Sequence, residues 1–307
     1  MEFHPEVPRS LLEEPGPWTH RQISAGGASF HVAESGPDDP RHAIVLLHDF
    51  PLFWRSWRRV IPELAERGHH VIALDQRGFG TSDLQRDEPD LLQLSRDVRA
   101  VVSAMGVAQF TVVGAGMGGA VAWMIGASDT VMLRSVVTVA APHPRDRPVL
   151  RRPTRLSKGR LLEVRMDVPL RRVRLLENGR LIDGLIRAWA APTHRERLLR
   201  EAEPYRLAMT RPFAASATTD SFSATRHLTL ASRRALDADI HVPVLSIQCA
   251  QDGGLSPREF AGDAARTDGG FAQEVLRDSG HFAAEESPRA LAELILRHVA
   301  QVPPREQ

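Results

Sequence analysis

A mostly parallel β-sheet flanked by helices and interrupted by an inserted helical cap is the fold class this sequence predicts. Three observations predict it. Short apolar runs alternate with helical patterns over roughly the first half of the chain, which is the rhythm of a parallel sheet with right-handed crossovers. A glycine cluster, Phe110 to Trp123 (FTVVGAGMGGAVAW), has a β-branched strand entering it and a small-residue helix leaving it. The rhythm then stops from about Asp146 to Ala235 and resumes at Val242.

In chain order, residues 1–17 are rich in proline and acid and are expected to lie over the surface as an N-terminal extension. Thr19 to Ile23 and Ser29 to Ala33 alternate around Gly26-Gly27, a hairpin signal. His42 to His48 (HAIVLLH) is a continuous apolar run, as a buried parallel strand requires. Trp54 to Glu66 has helical spacing, Val71 to Asp75 reads as a second buried strand, and Asp90 to Met105 as an amphipathic helix. The glycine cluster follows, then a strand at Ser135 to Ala140. After the break come Val242 to Cys249 as strand, Pro257 to Arg266 as helix, Ala272 to Leu276 as strand and Pro288 to Val299 as the last helix. These elements divide the chain into a core of residues 18–145 and 236–302 and a helical cap of residues 146–235.

Composition narrows the function classes. An apolar fraction of 42% and a charged fraction of 25% are ordinary for a globular domain, and a net charge of +1 gives no general case for nucleic acid. The lone Cys249 forms no internal disulfide, the N-terminus lacks a signal-peptide pattern, and no stretch is long and apolar enough for a membrane span. A cytoplasmic protein that binds neither nucleic acid nor membrane is expected, with a homodimer left open. The cap segment carries an excess of about ten positive charges; these either solvate its outer face or form a docking face for an anionic partner.

Two residues carry the clearest chemical signal. Asp252 follows the strand Val244 to Gln248, and His281 follows the last strand in Asp278-Ser279-Gly280-His281. Loops at the carboxyl ends of parallel strands gather on one edge of the sheet, so both residues are expected beside the glycine cluster. There the acid would orient the histidine. His48 and Asp75 are expected to brace loops, and Asp83 to cap a turn. Trp54, His143, Trp189, Tyr205, Phe213 and Phe222 are candidates for the pocket wall. No group of His, Cys, Asp or Glu has metal-ligand spacing, and Gly78-Phe79-Gly80 departs from the dinucleotide pattern, so neither metal nor cofactor is expected.

Taken together, HDFPLFWRSWRRVIP, LDQRGFGTSD, VVGAGMGGAVAW, AAPHP, QDGGLSP and SGHFAAEESP resemble the α/β-hydrolase superfamily, and most of all its epoxide-hydrolase and haloalkane-dehalogenase branch. The resemblance runs from about Ile23 to Val299, with the cap matched only by position. It implies an elbow at Gly114-Ala115-Gly116-Met117-Gly118 with the nucleophile position at Gly116. It also implies Asp252 as the supporting acid, His281 as the water-activating base, and the backbone N–H groups of Phe50 and Met117 as the oxyanion hole. Three residues depart from the branch: Gly116 has no side chain where an aspartate attacks, Ala115 stands where histidine is usual, and Asp49 replaces the glycine of the first motif. The branch also uses two cap tyrosines, and this chain has only Tyr205.

Three readings follow. In the first, the chain is an enzyme in which His281, poised by Asp252, performs acid–base chemistry without a covalent intermediate, Asp49 is a second acid or base, and a small, mostly apolar molecule is the substrate. In the second it is a binding protein with a capped pocket. In the third it is an inactivated hydrolase. On the first reading the nucleophile position is empty, and Gly116→Asp is expected to raise hydrolysis.

Overall fold

The computed structural model describes residues 7–39, 41–85, 87–128, 131–145 and 169–303. The strands are β1 (Thr19–Ala25), β2 (Ala28–Ser35), β3 (His42–Leu47), β4 (His70–Leu74), β5 (Gln109–Ala115), β6 (Leu133–Val139), β7 (Val244–Cys249) and β8 (Phe271–Leu276). They form one sheet in the order β1-β2-β4-β3-β5-β6-β7-β8. β1 and β2 are an antiparallel hairpin and β2 meets β4 antiparallel, whereas every pairing from β4 through β8 is parallel. Gly26 and Gly27 both have positive φ, the backbone a two-residue hairpin turn demands. The α/β-hydrolase topology expected from sequence is therefore present.

The centre of the sheet follows from its residues. β4 is buried along its whole length, and β3 and β5 along all but their first residue. α2 (Leu91–Ala104) has one apolar side, with Leu91, Leu94, Val98, Val101 and Val102 buried, and it starts where the Asp90 side chain accepts the Gln93 N–H. α3 (Met117–Ser128) is apolar all round and buried from Met117 to Gly126, so it runs inside the protein rather than over it. α2 packs on α3, and α1 (Ile61–Ala65) on α11 (Pro288–Gln301).

Two expected helices differ in form. Trp54 to Glu66 is a 3-10 turn, Trp54–Trp57, followed by the short α1. Pro62 near the start of α1 has no N–H to offer and clashes with a continuous helix behind it. Pro257 to Arg266 is likewise two 3-10 turns, Pro257–Phe260 and Asp263–Arg266, separated at Ala261-Gly262. The N-terminal extension does more than cover the surface. Leu12 is buried in the core, and its carbonyl accepts the indole N–H of Trp54 at 2.9 Å.

Between β6 and β7 the described chain is helical: α4 (Pro169–Glu177), α5 (Arg180–Trp189), α6 (Arg195–Glu201), α7 (Glu203–Met209), α8 (Ala214–Arg226) and α9 (Leu230–Ala235). The expected start of this insertion at residue 146, and part of its arginine-rich stretch, fall outside the described residues. An ion-pair network ties the insertion to the core. Arg58 contacts Glu201 and Glu285, Arg59 contacts the same two carboxylates, and the Tyr205 hydroxyl donates to Glu285. Among the described residues no helix is long and apolar enough to cross a membrane.

The glycines around the end of β5 are fixed by close backbone approach. A Cβ on Gly118 would lie 2.4 Å from the Leu47 carbonyl oxygen, and one on Gly114 2.2 Å from that of Gly118. Gly118→Ala is accordingly expected to destabilise the fold by about 3 kcal/mol, the upper range for overpacking. Urea denaturation of the variant beside the parent checks this, and an unchanged midpoint contradicts the packing described.

Candidate active site

The site lies where β3, β5, β7 and β8 end. In a parallel sheet, these carboxyl ends share one edge. β5 runs into Gly116, whose φ of +47° turns the chain sharply into α3. The Gly116 N–H is held by the Val139 carbonyl at 3.0 Å, and its own carbonyl accepts the Ala120 N–H at 3.2 Å. The turn thus leaves the Met117 N–H pointing at the end of β3.

What receives that N–H is the Asp49 carboxylate. Its Oδ1 accepts from Met117 N and from Phe50 N, both at 2.7 Å. The two donors expected to form an oxyanion hole are therefore filled by a side chain of the protein. A Cβ built on Gly116 would lie 2.0 Å from Asp49 Oδ1 and 2.1 Å from its Cγ. The nucleophile position is thus not an empty space, as the sequence alone implied; it holds the carboxylate of Asp49. The expectation that Gly116→Asp raises hydrolysis falls with it, since the new side chain would meet a carboxylate already there.

The second oxygen of Asp49 lies 3.1 Å from His281 Nε2. The two groups form a buried ion pair. On the other side of the ring, Nδ1 is 2.7 Å from Asp252 Oδ2. Asp252 is itself fixed, because its Oδ1 accepts the N–H groups of Gly254 and Leu255 at 2.7 and 3.0 Å. The result is a chain of three groups, Asp49–His281–Asp252, built from the ends of β3, β8 and β7. Burial alone would pull the His281 pKa down, but the two flanking carboxylates outweigh it and hold the value well above the ordinary 6.5. The two carboxylates thus favour the charged form of the ring.

The loop that presents His281 is braced by the insertion. The Trp189 carbonyl at the end of α5 accepts the N–H groups of His281 and Gly253 at 3.1 and 3.3 Å. The buried Glu286 carboxylate accepts the N–H groups of Gly280, Phe282 and Ala191 at 2.8, 3.0 and 2.9 Å. Burial raises the Glu286 pKa despite these three donors. Nothing in the spacing of AAEESP marks Glu286, so sequence reasoning missed it; its partners are backbone groups on two distant segments.

A narrow cavity opens in front of these groups. Asp49, Gly116 and His281 form its polar floor, and Met117, Ala140, Pro142, Trp189, Phe222 and Leu255 are among its apolar walls. Trp189 packs edge-on against the His281 ring at 4.7 Å, and its buried indole N–H has no acceptor.

Of the six residues expected to line the pocket, Trp189 and Phe222 do. Trp54 does not: it is buried at the N-terminal side, with its backbone N–H on Asp75 and its ring against Trp18 and His20. His143 is buried under Trp123, its N–H on Asp263. Tyr205 faces a second cavity with Leu52, Leu198 and Phe282, because Glu285 holds its hydroxyl. Phe213 is 82% exposed at the start of α8, where its left-handed backbone turns the ring outward. His48 and Asp75 brace loops, through Gln76 and through Trp54, Thr81 and His31 respectively. Asp83 accepts the Ser29 N–H and ties a loop to the hairpin. Far from the cavity, ligand atoms of Glu34, Asp38 and His70 approach one another, but Glu34 is already engaged by Arg21 and His70.

Comparison with known proteins agrees with this geometry. A family model described as the alpha/beta hydrolase family matches residues 44–294. The chain belongs to the alpha/beta hydrolase family. Epoxide hydrolase B of Mycobacterium tuberculosis is 39% identical over 126 residues, covering 40% of this chain and 35% of that protein. Human epoxide hydrolase 4 is 31% identical over 160 residues, covering 50% and 44%. The matched stretches therefore span less than half the length of these relatives. Among solved structures, Cfl2 from Burkholderia cenocepacia superposes with a TM-score of 0.79 at 24% identity, covering 95% of this chain and 97% of its own. Epoxide hydrolase A from Mycobacterium thermoresistibile does so with a TM-score of 0.77 at 19% identity, covering 94% and 100%. At these identities the structural likeness establishes the shared fold.

The raised pKa of His281 has a measurable consequence. A folded-state value above the unfolded one means the charged ring adds stability that is fully present below about pH 6.5 and is lost as pH rises through the folded value. Imidazole NMR is expected to show His281 still protonated at pH 7, and Asp252→Asn is expected to bring its titration down. A ring that is neutral at pH 6 would contradict the arrangement.

Proposed function

We propose that this chain is an enzyme that hydrolyses a small, mostly apolar organic electrophile, with epoxides the first class to test. The observation that carries this reading is the His281 imidazole held between two carboxylates at the floor of an apolar cavity. A binding protein has no need of a buried, charged histidine fixed on both sides, and a structure that had lost catalysis would be free to lose Asp252 first. Perturbed titratable groups converging on one concave site are the usual mark of acid–base chemistry.

In this reading Asp252 orients the ring and sustains its charge, with Nδ1 donating to Asp252 Oδ2. Nε2 faces the cavity and exchanges protons with substrate or water. The apolar walls select a small hydrophobic molecule and exclude bulk water. The helices of the insertion, α4 to α9, serve as the cap, contributing Trp189 and Phe222 to the wall. The chemistry needs no cofactor. The names of the curated relatives direct the first substrate choice to epoxides.

Turnover of a panel of small aryl and alkyl epoxides, followed by diol formation, tests the proposal. His281→Gln is expected to lower kcat by at least about a hundredfold, the usual contribution of a positioned acid–base group. Ligand binding, read by thermal shift, should persist in the variant. Undiminished turnover in His281→Gln would remove the histidine from the reaction.

A further inference from the structure

We infer that Asp49 is a relocated covalent nucleophile: the attacking carboxylate has moved from the elbow at the end of β5 to the loop at the end of β3. The inference rests on the hydrolytic reading above and deepens it by naming the atom that attacks.

Three observations carry it. The first is register. β3 and β5 are adjacent and parallel, and Leu47 pairs with Gly114. Asp49 and Gly116 each lie two residues beyond that last pair, at the ends of two adjacent parallel strands. The second is coincidence in space: a side chain starting from Gly116 would run into the Asp49 carboxylate. The third is how the carboxylate is divided. Oδ1 is fully engaged by the Phe50 and Met117 N–H groups, whereas Oδ2 points to the cavity floor and is paired with His281 Nε2 at 3.1 Å. The oxygen that would attack therefore lies beside the acid–base group, and the oxygen that would carry the negative charge of the intermediate is already in its cradle.

With an epoxide in the cavity, Asp49 Oδ2 attacks a ring carbon, forming a C–O ester bond as the ring C–O bond breaks. The electron pair goes to the ring oxygen, which takes the proton from His281 Nε2. The histidine, charged at rest, can supply that proton, and Tyr205 cannot, since it is tied to Glu285 away from the cavity. His281 is now neutral and accepts a proton from a water molecule that attacks the ester carbon, Cγ of Asp49. Oδ1, the former carbonyl oxygen, becomes the oxyanion between the two N–H groups that already hold it. Collapse expels the alkoxide, which takes the proton of the new carboxylic acid. The diol leaves, Asp49 is again a carboxylate and His281 is again charged, so one epoxide and one water give one diol. The position of Asp49 therefore does not block the oxyanion hole; it places the ester carbonyl inside it.

The experiment uses the full chain and styrene oxide. In the parent protein, quenched with acid during turnover, a mass increase of one styrene oxide molecule is expected, mapped by peptide fragmentation to Asp49; His281→Gln, which loses both the acid of ring opening and the base of ester hydrolysis, is expected to slow both halves. The parent protein, cycled in heavy-oxygen water, is expected to take the label into the Asp49 carboxylate. An ester at residue 49 or label in its carboxylate supports the inference. Hydrolysis by the parent with neither signal overturns the covalent route while leaving the hydrolytic reading intact, because water would then attack the epoxide directly. An ester that forms in the parent and never clears retains the nucleophile and overturns the hydrolytic reading. Absence of both turnover and adduct overturns the inference as well.

Discussion

The active edge of this protein depends on one carboxylate seated on two backbone N–H groups. Asp49 Oδ1 takes the Phe50 and Met117 donors at 2.7 Å each, short bonds of the charge-assisted kind. The Met117 donor is available because the β5–α3 turn is sharp and α3 begins there, where a helix leaves its first N–H groups without internal partners, and the Phe50 donor comes from the loop after β3. The same turn requires glycine at 114 and 118, since β5, α3 and the end of β3 approach within backbone contact there. A carboxylate in that cradle is oriented by the fold itself. Its second oxygen is then delivered to His281 with no further side chain needed to aim it.

The histidine is positioned by a different means. It sits on a buried loop after β8, the least buried strand of the parallel set, and Phe282, Ala283 and Ala284 pack that loop into the core. Its order also comes from outside. The Trp189 carbonyl and the Glu286 carboxylate collect N–H groups from residues 191, 253 and 280–282, so the end of α5 in the insertion, the Asp252 turn and the His281 loop form one hydrogen-bonded unit. Glu286 does this while buried, and three charge-assisted bonds offset most of the cost of keeping a carboxylate out of water. The geometry of the candidate site rests on the insertion as much as on the sheet. Arg58, Arg59, Glu201 and Glu285 hold that insertion on the core through ion pairs mostly shielded from solvent, which salt screens weakly.

The sheet was legible in the sequence because its signals are local. Continuous apolar runs such as residues 42–47 and 70–74 can only be buried strands, and chain order alone put Asp252 and His281 on one edge. The pocket wall was less legible. Aromatic residues in a helical insertion look alike until their neighbours are known: Glu285 diverts Tyr205, a left-handed backbone turns Phe213 outward, and Trp54 packs under the N-terminal segment. Each outcome depends on a partner at least 40 residues away or on a single backbone dihedral, which periodicity does not encode. The two interrupted helices failed for local reasons instead, proline at 62 and Ala-Gly at 261–262.

Gly116 and Asp49 teach the most, because the sequence shows both and not their relation. Read singly, one is a missing nucleophile and the other an odd residue in a glycine position. Register makes them a single exchange. Residues two steps past a Leu47–Gly114 pair stand side by side, and the space in front of the two N–H donors admits one carboxylate only. If Asp49 fills it, residue 116 must be without a side chain, and glycine alone meets both that demand and a φ of +47° without strain. If residue 116 filled it, residue 49 would have to be small, and glycine is the usual residue of the motif that Asp49 interrupts. The two departures therefore offset each other sterically and electrostatically, and neither is tolerable alone: aspartate at both positions places two like charges in one dry cradle, and glycine at both leaves Nε2 of His281 facing no carboxylate, with Asp252 alone on the other side of the ring.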